Sequence, residues 1–421
     1  MKNGEKKRRS VNNEKIVIAS NAKQSLPTGR QVIKLKIRLP RSPHSLAMTG
    51  YIAMTRTKIQ SDQILLFTVF ILLVFGLVMI ASAGVAYSKI RFDDAYFFFK
   101  RQLLFGVLPG LIILYLTQKI NYTFWKKISF PLFILSIALL TLVFIPGIGS
   151  KLYGASRWIQ LGGFSFQPSE MLKFSLILYL AAWLESRGEK IKDFFEGLTP
   201  FLMVMGIVSF LLIKQPNMGT LGVIIFIALI MFFISGSNLW HIFLMGMAGM
   251  IAFFILIKTE SYRLNRFLVF LHPELDPRGI GYQINQALLA IGSGGIWGVG
   301  LGKSLQKFNY LPEPTGDSIF AIIGEELGFL GCSLTLLLFT ILVFRGLRIV
   351  KLAPDRFSRL VATGITAWII IQAFVNISAI SGLMPLTGVP LPFISYGGTS
   401  LVFLLAGTGI LLNISKHLKE Q

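Results

Sequence analysis

Ten apolar runs, each long enough or nearly so to cross about 30 Å of hydrocarbon, recur near residues 63–86, 101–118, 128–146, 169–185, 199–213, 218–235, 239–258, 318–344, 359–381 and 396–415. This repetition leaves little choice of architecture. Backbone N–H and C=O groups find no water inside a bilayer, so each run must satisfy its own hydrogen bonds, and a continuous run does so as an α-helix. The expected fold is an all-α membrane protein of about ten transmembrane helices, with one large external loop, about 259–317, between spans 7 and 8. Only Lys214-Gln215-Pro216-Asn217 separates the fifth run from the sixth. Composition agrees: 14% of residues are charged and the mean hydropathy is +0.67, where soluble domains carry about 25% charged residues. No convincing internal repeat is visible, which weakens an inverted-repeat transporter reading.

The formal net charge of +22 is concentrated at one end. Residues 1–60 hold fourteen Lys or Arg against Glu5 and Glu14, a net +12. A run such as Lys6-Lys7-Arg8-Arg9 has the composition of a nucleic-acid patch. Before a first span, however, a basic arm is what the positive-inside rule places in the cytoplasm, against anionic lipid. No nucleic-acid partner is expected. Residues 1–58 are expected to be a basic cytoplasmic tail, either disordered or an extension upstream of a true start at Met48 or Met54. They contain no signal-peptide core. With the N-terminus inside, the inner loops collect Lys119, Lys126 and Lys127, then Arg187, Lys190 and Lys192, then Arg345, Arg348, Lys351 and Arg356. The outer loops are poorer, although 87–101 keeps Lys89, Arg91, Lys100 and Arg101. An even span count makes both termini cytoplasmic, with 59–415 as the membrane domain and 416–421 as a cytoplasmic end. The single cysteine, Cys332, and the scattered His44, His241, His272 and His417 offer no disulfide framework and no ligand spacing for a metal.

Four polar segments fall on the external face of this topology. The first runs from Gly154-Ala155-Ser156-Arg157-Trp158-Ile159-Gln160-Leu161-Gly162 into Gln167-Pro168-Ser169-Glu170-Met171-Leu172-Lys173. Pro168 suits the first turn of a helix, and Glu170 and Lys173, three apart, share a helical face. Two readings stand: an intrahelical ion pair with an interfacial Trp/Arg belt, or a site where Arg157 and Lys173 hold an anionic group such as a phosphate. The second segment, Lys214-Gln215-Pro216-Asn217-Met218-Gly219-Thr220, is a tight reversal between spans or, through Lys214 and Gln215, part of the same site. The third begins with the turn-rich His272–Gln283 and continues through Gly292-Ser293-Gly294-Gly295-Ile296-Trp297-Gly298-Val299-Gly300-Leu301-Gly302-Lys303-Ser304. Its Gly-Lys-Ser lacks P-loop spacing and lies where ATP is scarce. The glycines are expected to allow close packing or irregular backbone lining a cavity. The fourth, Gly382–Ser400, is proline-rich and then small-residue-rich, and suits a shaped surface facing a lipid or partner. Ser395 and Ser400 have no nearby His to act as base, so no nucleophile is expected there. Ser395 is kept as a substrate-binding residue.

Charge at membrane depth is costly and marks function. Three acids, Asp317, Glu325 and Glu326, crowd the mouth of the eighth run. At about 100° per residue, Glu325 falls about 80° round from Asp317 and two turns deeper, and Glu326 on the opposite side. Asp317 and Glu325 are thus expected to border one cavity, and Glu326 to pack against another helix. Asp317 is either a helix cap or a reactive group at the water boundary. The buried acids need partners, which Arg157 or Lys173 could supply.

The segments together resemble the SEDS family, the membrane glycosyltransferases of shape, elongation, division and sporulation, over about residues 60–415. The resemblance is carried by Arg157-Trp158-Ile159-Gln160-Leu161-Gly162 with Gln167-Pro168-Ser169-Glu170, by Pro312-Glu313 with Asp317 and Glu325-Glu326-Leu327-Gly328, and by Gly388-Val389-Pro390-Leu391-Pro392-Phe393-Ile394-Ser395-Tyr396-Gly397-Gly398. Gly324–Gly328 and the glycine-rich stretch are more similar to the FtsW-like division branch than to the RodA-like elongation branch. Two positions depart from the family pattern: Asn217 stands where an Asp is usual, and Pro314-Thr315-Gly316 where the family has Ala-His-Thr.

The resemblance implies polymerisation of lipid II into glycan strands outside the membrane, in septal wall synthesis. Asp317 then occupies the family's proposed catalytic position, as general base on the acceptor sugar hydroxyl. Arg157, Glu170, Lys173, Lys214, Gln215, Glu325 and Ser395 become substrate-binding candidates. The implied partners are a class B penicillin-binding protein transpeptidase and other division proteins. No cofactor is required, although a divalent cation such as Mg²⁺ at the pyrophosphate is compatible with the carboxylates. The alternatives are a lipid II flippase, a non-catalytic scaffold for a transpeptidase, and an elongation role. The inner halves of the spans are nearly free of charge, which favours the enzyme over a translocation path.

Overall fold

The structure, a computed structural model, describes residues 61–147, 149–152, 155–161, 164–259 and 261–418, and nearer the N-terminus 23–25, 31–36 and 51–56. Residues 1–60 form a unit of their own. In it β1 (Lys23–Ser25), β2 (Gln31–Lys36) and β3 (Tyr51–Arg56) pair antiparallel in that order. The run Lys6–Arg9, Met48, Gly154, Gly162 and Lys419 lie outside the described residues.

The second unit is helical, and helices cover all ten apolar runs. In order they are α1 (Gln63–Phe92), α2 (Phe97–Gln102) continuing through a π-turn into α3 (Leu108–Lys119), α4 (Tyr122–Leu142), α5 (Pro168–Arg187), α6 (Thr199–Lys214), α7 (Met218–Ile234), α8 (Leu239–Thr259), α9 (Ser261–Leu271), α10 (Ile280–Ser293), α11 (Ile319–Leu352), α12 (Arg356–Ile380) and α13 (Gly398–Ser415). Eight helical stretches among the described residues are long and apolar enough to cross a membrane; α7 is apolar but shorter, and α5 begins with Glu170 and Lys173. This is a multi-pass membrane protein.

Two features differ from the sequence reading. The 259–317 connection is not one loop, because α9 and α10 fold within it. Between α4 and α5 the chain forms an antiparallel sheet, β4 (Gly149–Leu152), β5 (Ala155–Leu161) and β6 (Phe164–Phe166). Strands this short show no period that stands out beside apolar runs of twenty residues.

The centre of the bundle is α12, flanked by α5, α7 and α11, together with α13. In their most apolar windows 78% of α12 and 83% of α13 is buried, against 6% of α8. The exposed side chains of α8, such as Phe243, Met250 and Phe254, match a lipid-facing position. Helices α3 and α13 approach so closely that a Cβ on Gly409 would lie 1.9 Å from Thr117 Oγ1. One end of the bundle is tied by ionic contacts. Arg345 Nε donates to Asp62 Oδ2 (2.8 Å), Asp62 N donates to Ser415 Oγ (2.9 Å), and Tyr122 donates to Asp355, which caps α12 (2.6 Å). Asp317 lies at the opposite end of α11, on the order of 50 Å away by helix rise.

Candidate active site

The turn before α11 is built to hold one carboxylate in place. Gly316 N and Ser318 N both donate to Glu313 O, at 3.0 and 3.3 Å, closing a tight loop. Side chains and backbone from three other regions then pin it. Ser395 Oγ donates to Gly316 O (2.7 Å), Tyr396 N to Thr315 O (2.8 Å), and Asn376 Nδ2 of α12 to Asp317 O (2.8 Å). Gln283 of α10 donates to Ser318 Oγ (3.1 Å). The helix cap itself is Ser318, so Asp317 stands just ahead of it.

Asp317 is half-buried, and its Oδ1 is enclosed with no hydrogen-bond partner among the described residues. Gly388 lies beside the carboxylate, where a Cβ would come within 3.9 Å of Oδ2. Burial, reinforced by the charge of Glu313, pushes the Asp317 carboxyl up to about 7, against the opposing pull of Arg266 and Ser318. A carboxylate with that balance can accept a proton near neutral pH. Arg266, on α9, also donates to Leu386 O (3.3 Å) and so ties the far loop to the same corner.

Glu326 meets another helix, α1, as the helical wheel expects, whereas Glu325 is taken up by the 304–306 segment. Ser304 Oγ donates to Glu325 Oε2, and Leu305 N to Oε1 at 2.8 Å. Glu326 is paired with Lys307 (2.9 Å) and accepts from Ser82 Oγ (2.7 Å). Both carboxylates therefore hold the 302–307 loop, and their partners are Ser304 and Lys307, not Arg157 or Lys173. The cause is backbone geometry. Gly328 breaks α11 at φ 65°, ψ −159°, and the glycine-rich turns after α10 fold against the break. Val299 N and Gly300 N reach Glu325 O and Glu326 O at 3.0 Å, and Phe329 N reaches Gly295 O at 2.9 Å. A Cβ on Gly328 would meet Gly298 N at 2.4 Å. The expected irregular backbone is thus real, and it lines a broken helix.

The other predicted site residues form a second cluster. Lys173 and Glu170 make a buried ion pair of 2.8 Å, and Lys173 Nζ also donates to Gln372 Oε1 (2.7 Å) over the face of Trp368. Glu170 Oε2 is buried without a partner among the described residues. Trp368 Nε1 donates to Gln372 Oε1 (2.8 Å), and Gln372 Nε2 donates to Pro390 O (2.9 Å). The guanidinium of Arg157, on β5, donates to Gln215 O (3.2 Å) and Pro216 O. Gln215 is buried and donates to Leu140 O (3.0 Å), whereas Lys214 is exposed at the end of α6. Asn217 Nδ2 reaches Ser169 Oγ at 3.4 Å, the work of a neutral amide where a carboxylate is usual. Ser395 binds backbone: besides donating to Gly316 O, its hydroxyl accepts from Leu391 N (2.8 Å). Sequence reading missed Arg266, Lys307, Trp368, Gln372 and Asn376. The last three were legible as polar atoms at spacings of four in an apolar run.

The family of FtsW, RodA and SpoVE, described as cell cycle proteins, matches residues 63–420. The chain belongs to this family. Among similar SEDS proteins, stage V sporulation protein E of Bacillus subtilis is 42% identical over 364 residues, covering 86% of this chain and 99% of that protein. A probable peptidoglycan glycosyltransferase FtsW of Trichlorobacter lovleyi is 44% identical over 358 residues, covering 85% of this chain and 94% of that protein. Among solved structures, a chain of a peptidoglycan synthase complex that coordinates polymerization and crosslinking superposes with a TM-score of 0.70 at 28% identity, covering 85% of this chain and 98% of that one. The rod shape determining protein RodA of Thermus thermophilus superposes with a TM-score of 0.62 at 28% identity, covering 86% and 98%. The SEDS match starts at residue 63, beyond the N-terminal unit.

Proposed function

We propose that this SEDS protein is a peptidoglycan glycosyltransferase that polymerises lipid II during septal wall synthesis, with Asp317 as general base. The observation that carries this reading is the Asp317 carboxylate: pinned through its backbone, enclosed at Oδ1, and poised near neutral pH. The C4 hydroxyl oxygen of the acceptor sugar attacks C1 of the donor. Its proton passes to Asp317, and the C1–oxygen bond electrons leave with the polyprenyl diphosphate, inverting C1. The leaving group is anionic and needs positive charge. Arg157 and Lys214 border one turn, and Arg266 adds a cation beside Asp317. Lys173, neutralised by Glu170, serves through Gln372. Glu325 and Ser395 shape the loops, Gln215 the Arg157 turn.

The relatives' names support glycan polymerisation, and the chain similar to one in a synthase complex supports a class B penicillin-binding transpeptidase partner. Placement in the bacterial plasma membrane with cytoplasmic termini follows the Lys/Arg loop bias. The test is polymerisation of lipid II by purified wild type and Asp317→Asn, with and without chelator. Loss of polymer in the variant, with unchanged thermal unfolding, is expected. Full activity in Asp317→Asn refutes the base assignment; translocation of lipid II without polymer in liposomes favours a flippase; loss of activity with chelator brings in a divalent cation. Growth supported by a polymerase-dead variant favours a scaffold.

A further inference from the structure

We infer that Asn376 is a positioning residue for the reaction: its amide clamps the Asp317 turn to the proline-rich loop and so sets where the base stands. The inference rests on Asp317 acting as the base. Asn376 is 1% exposed and sits in the last two turns of α12, the helix at the centre of the bundle. Its Nδ2 donates to two carbonyls at once, Asp317 O and Val389 O, each at 2.8 Å. A primary amide carries two N–H bonds, and both are used here. The two acceptors belong to loops 72 residues apart in sequence, so one side chain joins segments that the chain itself leaves separate.

The proline-rich loop closes its own turn at Leu391–Ser395 but is short of donors before it. Pro385, Pro390 and Pro392 have no N–H to donate, and the carbonyls of Val389 and Pro390 are taken by Asn376 and Gln372, one helical turn apart on α12. The two amides form a ladder with different tops. Gln372 reaches the loop alone and is itself held by Lys173 and Trp368. Asn376 reaches the loop and the backbone of Asp317. Gly388, next to Val389, is the residue beside the Asp317 carboxylate, so the clamp also sets the wall that the base faces. Asn376 Oδ1 is buried and has no partner among the described residues, as is the neighbouring Thr387 Oγ1. The donor end of the amide is thus fully engaged.

Geometry of this kind acts on turnover more than on binding. A displacement of the order of 1 Å at a reacting group costs about 10²-fold in rate. Asn376→Leu keeps the branching and heavy-atom count of the side chain, in a somewhat larger volume, and removes both donors. We expect kcat to fall about 10²-fold with KM for lipid II within about threefold. The pH midpoint of kcat should move, because a loosened turn changes the solvent exposure of Asp317. Asn376→Gln, which restores a donating amide on a longer arm, should recover part of kcat. Asn376→Ser, which cannot span both carbonyls, should not.

The experiment measures kcat, KM and the pH profile of purified Asn376→Leu, Asn376→Gln, Asn376→Ser and Asp317→Asn on lipid II, with thermal unfolding of each. If Asn376→Leu unfolds, Asn376→Gln and Asn376→Ser decide the comparison. A variant with wild-type kcat and pH midpoint overturns the inference while leaving the base intact, provided Asp317→Asn is dead. An active Asp317→Asn overturns the base reading itself. A fall in kcat that tracks only a fall in folded protein, with an unmoved pH midpoint, assigns Asn376 to stability and overturns positioning.

Discussion

Because Asp317 is pushed up to about 7, its pH dependence is a direct consequence of the burial described above. A base works ionised, so the rate should rise with pH through that midpoint. The ionised fraction in the free protein is about 9% at pH 6, about 50% at pH 7 and about 91% at pH 8, a rise of about tenfold in kcat/KM across two units. Burial is the larger cause and Glu313 the second. Glu313→Gln removes the second, so the midpoint should fall and the rate at pH 6 should rise relative to the rate at pH 8. Asp317→Asn should lose about 10²–10⁴-fold in rate and leave no ascending limb near 7. Stability runs the other way. A carboxyl whose folded pKa is raised stabilises the fold fully below its ordinary value of 3.8, and that contribution is lost as pH rises through about 7. Thermal unfolding between pH 4 and 8 should therefore be flatter in Asp317→Asn than in wild type. The assay is lipid II polymerisation from pH 5 to 9 by wild type and both variants. A wild-type midpoint near 4, or one that Glu313→Gln leaves in place, refutes the reasoning.

Two further outcomes follow from the packing. Lys307→Met leaves Glu326 buried and without its cation, at a cost of about 3–5 kcal/mol; the melting temperature should drop sharply, and adding Glu326→Gln should recover much of it. Gly328→Ala places a Cβ against Gly298 N and Ile296 O at a backbone conformation that L-residues avoid; about 1–3 kcal/mol of strain should lower both the melting temperature and the polymerisation rate.

Helices at the apolar runs were legible because hydrocarbon admits few backbone solutions. Asp317 was legible because an acid at the mouth of such a run is rare. A helical wheel pairs Glu325 with Asp317, but Asp317 stands ahead of the α11 cap at Ser318, and the turns before residue 306 fold back onto Glu325 and take up its carboxylate. Ser395 was singled out for substrate, yet its hydroxyl bonds Gly316 and Leu391, a role visible only when two distant loops meet. Trp368, Gln372 and Asn376 stand out in the sequence as polar atoms at spacings of four, but spacing reveals nothing of their partners.

Sequence alone determined the class of the molecule, the helices over its apolar runs and the acids that stand out at the mouth of one of them, since these depend on local composition and on the cost of placing charge in hydrocarbon. Tertiary structure alone decided which partners satisfy each buried polar group. It gave Lys307 to Glu326, Gln372 to Lys173 and Asn376 to Asp317, because hydrogen bonds reach about 3 Å and only packing determines which groups come that close.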